Sequence, residues 1–128
     1  MTAKIAPLAH RETPRITYEA MLMLQQNLGL ATSRDVIERA VFELSDRLAR
    51  LELALEEDRL QAVQTLAIGM IAISTQIGLT EFADVAADLV FCIDCENTVA
   101  IQAVAARLIR LGERSMSQAV QFAETAGG

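Results

Sequence analysis

The sequence predicts an all-α domain, and three observations carry that prediction. Both prolines, Pro7 and Pro14, lie near the N-terminus, so nothing after position 14 forbids a helix. Ala, Leu, Glu, Gln and Arg dominate the composition, and these are strong helix formers. Apolar residues recur at helical spacing along most of the chain. At 128 residues the chain forms one domain, long enough to bury about two-thirds of its unfolded surface.

Residues 1–15 are expected to form a flexible tail, slightly basic through Lys4, Arg11 and Arg15, with the domain proper spanning 16–125. Thr17 can cap a short first helix through Tyr18, Met21, Leu22 and Leu28, which Gly29 ends in the left-handed conformation. Thr32 or Ser33 caps the second helix, with Asp35 in its first turn where the helix dipole favours an anion. Ile37, Val41, Leu44, Leu48, Leu51 and Leu55 then alternate spacings of four and three, a seam for packing at about 20° to a neighbouring helix. Arg39, Glu43, Asp46 and Arg50 carry the opposite side, and Glu56-Glu57-Asp58 marks the turn.

The third helix is the unusual one. Between Arg59 and Arg107 lie 47 residues without Lys, Arg or His, and Leu60–Thr80 has no charge at all. That window holds twelve apolar residues, seven uncharged polar residues and two glycines. A helix apolar nearly all round belongs in the middle of a bundle or in a membrane. The length is about right for a bilayer. However, Gln61, Gln64, Thr65, Ser74, Thr75, Gln76 and Thr80, without flanking aromatic anchors, favour a central bundle helix over a membrane span.

The fourth helix starts at Thr80, buries Phe82, Val85, Ala86, Leu89 and Ile93, and exposes Glu81, Asp84 and Asp88. Asp94–Thr98 is a tight connection with Asp94 and Asn97 as alternative caps. The fifth buries Ile101, Val104, Leu108 and Leu111 and exposes Arg107, Arg110 and Arg114. Short connections make successive helices antiparallel neighbours, so the expected architecture is an up-down antiparallel four-helix bundle with an extra N-terminal helix.

The net charge of −6 argues against nucleic acid as a partner, because backbone phosphates demand a basic surface. Glu81, Asp84, Asp88, Asp94 and Glu96 form an acidic run with no counter-charge nearby in sequence. Two cysteines do not make a disulfide framework, and the N-terminus lacks the basic stretch and apolar run of a secretory signal. A cytoplasmic location is expected.

Candidate chemistry is sparse. Cys92-Ile-Asp-Cys95 is half of a zinc site or a redox pair on paper. Four zinc ligands cannot be assembled from one His, in the tail, and scattered carboxylates. Cys92 also continues the apolar face of its helix, so it reads as a small buried hydrophobe. Di-iron chemistry needs Glu-x-x-His pairs, which are absent. A nucleophilic triad fails for want of any His beyond His10, and Gly69 and Gly78 are isolated rather than part of a phosphate loop. No catalytic residue, cofactor or metal is expected. Leu28–Val41 resembles the second half of a ribbon-helix-helix DNA-binding module, with Arg15-Ile-Thr-Tyr as its strand; the acidic remainder argues against that role.

Residues 56–112 resemble a histidine-containing phosphotransfer (HPt) domain. That family is a helical bundle whose central helix carries a His, then Lys and Gly three and four residues on, then another Gly near the helix end, followed by Gly-Leu-x-x-Leu-Ala at the start of the next helix. Here Ala67-Ile-Gly-Met-Ile-Ala-Ile-Ser-Thr-Gln-Ile-Gly-Leu-Thr-Glu-Phe-Ala reproduces the frame. Aligning Gly78-Leu79 with the final Gly places Ile68 at the phosphoacceptor position, Ile71 at the Lys position and Ala72 at the small residue. Phosphoryl transfer needs an imidazole nucleophile and a nearby cation. Neither is present in this stretch in any register.

The resemblance therefore implies a degenerate member: a non-enzymatic signalling adaptor or inhibitor that docks a receiver domain or histidine kinase without accepting phosphate. Gln64, Ile68, Ile71, Ala72 and Thr75 are the expected partner-binding stripe. The same stripe could be core, or the seam of a homodimer in a purely structural homo-oligomer. Its exposure discriminates, since an apolar stripe left open on a monomer is an interaction site.

Overall fold

The computed structural model describes residues 13–127. Among them there are five α-helices and no strand: α1 (Tyr18–Leu28), α2 (Leu30–Glu56), α3 (Leu60–Gln76), α4 (Thr80–Asp94) and α5 (Thr98–Gly127). α2 lies against α3, α3 against α4, α4 against α5, and α5 returns to α2, while α1 rests on α2. Connections of three residues follow each of α2, α3 and α4, which leaves no room for a crossover. The enclosed core includes Ile37, Leu44 and Leu51 of α2, Val63 and Met70 of α3, Phe82 and Leu89 of α4, and Ile101 and Leu108 of α5, with Met21 of α1 joining it.

The three turns share one hydrogen-bond geometry. The N–H groups of Arg59, Leu79 and Asn97 donate back to the carbonyls of Ala54, Ser74 and Cys92, five residues earlier. Each loop closes through a residue at positive φ just after its helix: Asp58, Gly78 and Glu96. Asn97 then caps α5, its Oδ1 accepting the Ala100 N–H at 3.1 Å.

The first helical junction differs from the expectation. Neither Thr32 nor Ser33 caps α2; the helix begins at Leu30 with Gly29 as the only residue between it and α1. The Gly29 N–H donates to the Gln25 carbonyl and its own carbonyl accepts from Ser33, so one residue closes one helix and opens the next. Its φ of 86° and ψ of 166° are not the left-handed helical values but a region essentially reserved for glycine. Ser33 is buried and donates its hydroxyl to the Leu30 carbonyl at 3.0 Å within its own turn.

Residues 1–12 of the expected tail, His10 included, lie outside the described residues. Pro14 is buried, and residues 15–17 form a strap over the α3–α4 turn. The Arg15 N–H donates to Glu81 Oε1 at 2.8 Å, the Arg15 carbonyl accepts from the Glu81 N–H at 3.2 Å, and the Thr17 N–H donates to the Gly78 carbonyl at 2.7 Å. Thr17 does precede α1, but its hydroxyl pairs with that of Thr80 at 2.8 Å instead of capping the helix.

Candidate docking face on α3

α3 is not apolar all round in its setting. It packs between α2 and α4, and it buries Val63, Ala67, Met70 and Ser74 while Gln61, Thr65, Ile68, Ala72, Thr75 and Gln76 face outward. Ser74 satisfies its buried hydroxyl by donating to the Met70 carbonyl at 2.6 Å. Thr65 and Thr75 turn theirs back onto the carbonyls of Gln61 and Ile71, at 3.0 and 2.7 Å. Along the outer side the threonine hydroxyls are thereby satisfied, and α3 offers methyl groups, flat surface and the carboxamides of Gln61 and Gln76.

The expected stripe divides. Ile68 is 53% exposed, and Ala72 and Thr75 are exposed beside it. Gln64 and Ile71 turn toward α4 and are partly buried. Gln64 bridges the two helices, donating to the Val90 carbonyl at 3.1 Å and to Asp94 Oδ1 at 2.8 Å. Ile71 packs against the core. Because Gln64 reaches Val90 and Asp94, the next turn of α3, holding Ile68, runs level with the α4 turn that holds Ala87 and Phe91. Phe91 of α4 is 67% exposed.

Arginines of α2 come up against α3: Arg39 shares a cleft with Ile73 and Gln76. The Arg47 guanidinium of α2 lies across Gly69, where a Cβ would meet its Nη1 at 2.7 Å. Gly69 therefore serves as a slot for a side chain 22 positions earlier in the chain. The 47-residue gap in basic residues does not extend to space.

The acidic run likewise acquires counter-charges from a distance. Arg15 reaches Asp84 Oδ2 at 2.9 Å, and Arg107 reaches Glu81 Oε2 at 3.1 Å. Glu81 is thereby less exposed than its helical position suggests, its side chain retaining 17% of its accessible surface. Cys92 is partly buried against the core, Cys95 is exposed past the end of α4, and both are free thiols. Among the described residues no three His, Cys, Asp or Glu side chains gather as a metal cluster, and no helix is long and apolar enough to cross a membrane.

The face thus combines exposed apolar groups, neutral polar residues with satisfied hydroxyls, and the Arg47 guanidinium at its α2 edge. Helical spacing within α3 is compatible with the exposure of Ile68 but gives no sign of Arg47, since it carries no record of which side chains adjoining helices contribute.

No protein-family model matches this chain, and no curated protein or solved structure matches it either.

Proposed function

We propose that this chain is a cytoplasmic, non-catalytic signalling adaptor or inhibitor that binds a receiver-type or histidine-kinase partner. In this reading α2–α5 form an up-down four-helix bundle, α1 is the extra N-terminal helix, and residues 56–112 are the HPt-like part without a phosphoacceptor. The observation that carries the reading is the exposure of Ile68. At the position where the resemblance calls for the phosphoacceptor, the chain holds an open isoleucine rather than a core residue. Ala72 and Thr75 continue the surface at helical spacing. A partly desolvated Arg47 at the edge supplies the charged anchor that protein interfaces favour beside such a centre.

Incubation with phosphorylated receiver domains tests the chemistry and the contact together. The expected result is a complex with no phosphate transferred to this chain, lost in Ile68→Asp while the circular dichroism spectrum and melting curve are unchanged. Acid-labile phosphate on this protein, or a complex indifferent to Ile68→Asp, overturns the reading. The exposed Ile68 also favours a second reading, a homodimer seam on the same face. Sedimentation equilibrium separates the two: a dimer that Ile68→Asp converts to monomer supports the seam.

A further inference from the structure

A cleft of about 420 Å³ lies where α1, α2 and α3 meet, within the range of small-molecule sites, about 300–1,000 Å³. Each helix contributes to its apolar wall: Leu24 of α1, Val36 and Ala40 of α2, and Ile73 of α3, with Ile77 just past the end of α3. Ile77 is buried and the other four are partly buried. Arg39, Glu43 and Gln76 are exposed and complete the lining, so the cleft is apolar at its floor and polar at its rim.

The two charged residues decide what fits. Arg39 and Glu43 stand about one turn apart on α2, roughly 6 Å along its axis. That spacing allows an ion pair within a helix, and Asp46 and Arg50 of α2 make one at 3.1 Å. Arg39 and Glu43 run in the weaker order, cation first, and stay apart. Neither has an ion pair or a side-chain hydrogen bond among the described residues. A guest with only a carboxylate would meet Glu43, and a guest with only an ammonium would meet Arg39, each a like-charge contact. A guest carrying both groups side by side on an apolar body satisfies the two residues together. We propose that the cleft binds a free α-amino acid with an aliphatic side chain. Its carboxylate accepts from Arg39, its ammonium donates to Glu43, and its side chain lies on the apolar wall. The Gln76 amide, both donor and acceptor, can serve either charged group. Because Leu24 forms the α1 side, an occupied cleft also clamps α1 to α2 and α3.

Titration of the isotope-labelled full chain with leucine tests this, read as amide and methyl chemical shifts. Saturable shifts centred on Leu24, Val36, Ala40, Ile73 and Ile77 are expected, with a Kd no weaker than about 1 mM. Leucinamide lacks the carboxylate and N-acetyl-leucine lacks the ammonium, and each should bind at least about tenfold more weakly. These two compounds also stand for the ends of a peptide, so equal binding of either overturns a free amino acid as the guest. Arg39→Gln should abolish the preference over leucinamide, and Glu43→Gln the preference over N-acetyl-leucine. Both side chains are exposed, so the circular dichroism spectrum and melting curve of each variant should match those of the parent. Absence of saturable shifts up to about 10 mM leucine, shifts centred elsewhere, or preferences unchanged in the two variants overturn the proposal. The titration needs no partner protein and leaves Ile68 untouched, so its outcome is independent of the docking reading.

Discussion

The Thr17 N–H donates to the Gly78 carbonyl at 2.7 Å, and a Cβ on Gly78 would collide with the Thr17 carbonyl oxygen. The strap before α1 and the turn after α3 are therefore fitted to each other backbone against backbone. Gly78 also has a φ of +81°. Gly29, at +86°, has the same conformational demand, but a Cβ there would have nothing within 4 Å. Alanine at position 29 should cost about 1–3 kcal/mol for backbone strain alone. At position 78 the collision adds to that, so Gly78→Ala should be the more destabilising by at least ~1 kcal/mol. Urea unfolding of the two variants checks the order; equal losses would mean that the strap moves aside freely.

Two helical glycines give a comparison of opposite sign. A Cβ on Gly69 would meet only the far end of the flexible Arg47 side chain. A Cβ on Gly112 would meet Leu48 Cδ2 at 2.6 Å and Phe82 Cε1 at 3.0 Å, both in the closed core. Alanine gains about 1 kcal/mol over glycine in a helix interior. Gly69→Ala should therefore be neutral or stabilising, with the guanidinium displaced. Gly112→Ala should lose up to about 2 kcal/mol net, since overpacking costs about 1–3. Thermal melts read the sign directly.

Glu81 and Asp84 both pair with arginines but should not weigh alike. Glu81 ties the Arg15 backbone and the Arg107 guanidinium to α4, and its side chain is largely covered. Arg15 and Asp84 are 63% and 64% exposed, where ion pairs contribute about 0–1 kcal/mol. Glu81→Ala should cost about 1–3 kcal/mol, and Asp84→Ala less than about 1. Denaturation in low and high salt provides the check, with the Asp84 effect the one that salt erases.

Ser115 is buried, and its hydroxyl has no hydrogen-bond partner among the described residues. Ser74, also buried, returns its hydroxyl to the preceding turn. Ser115→Ala should therefore raise stability by about 1 kcal/mol, the cost of an unmet buried hydroxyl. Ser74→Ala should not. A drop in melting temperature for Ser115→Ala would reveal a partner for that hydroxyl.

Ile68 and Met70 are two residues apart and should respond oppositely to charge. Ile68→Asp places a carboxylate on a half-exposed surface and should change stability by no more than about 0.5 kcal/mol. Met70 is fully buried, and Met70→Asp should unfold the domain through an unpaired buried charge. Circular dichroism at fixed temperature distinguishes the two.

The sequence by itself determined the helices and their inner faces. Ile37, Leu44, Leu48 and Leu51 recur at helical spacing because one side of α2 must leave water, and that periodicity is local information. The turns at Asp58, Gly78 and Asn97 were legible for the same reason. What only the tertiary structure decided is every relationship that crosses between segments. The neutral window from Leu60 to Thr80 reads as a helix buried all round, yet α3 keeps an outer side between its contacts with α2 and α4, and Ile68 falls on it. Arg47 reaches Gly69, Arg107 and Arg15 relieve the acidic run, and Thr17 presses on Gly78 although these partners are 22 to 69 positions apart. Such contacts depend on how helices are rotated and set against one another, a property of the whole core that no single stretch of sequence encodes.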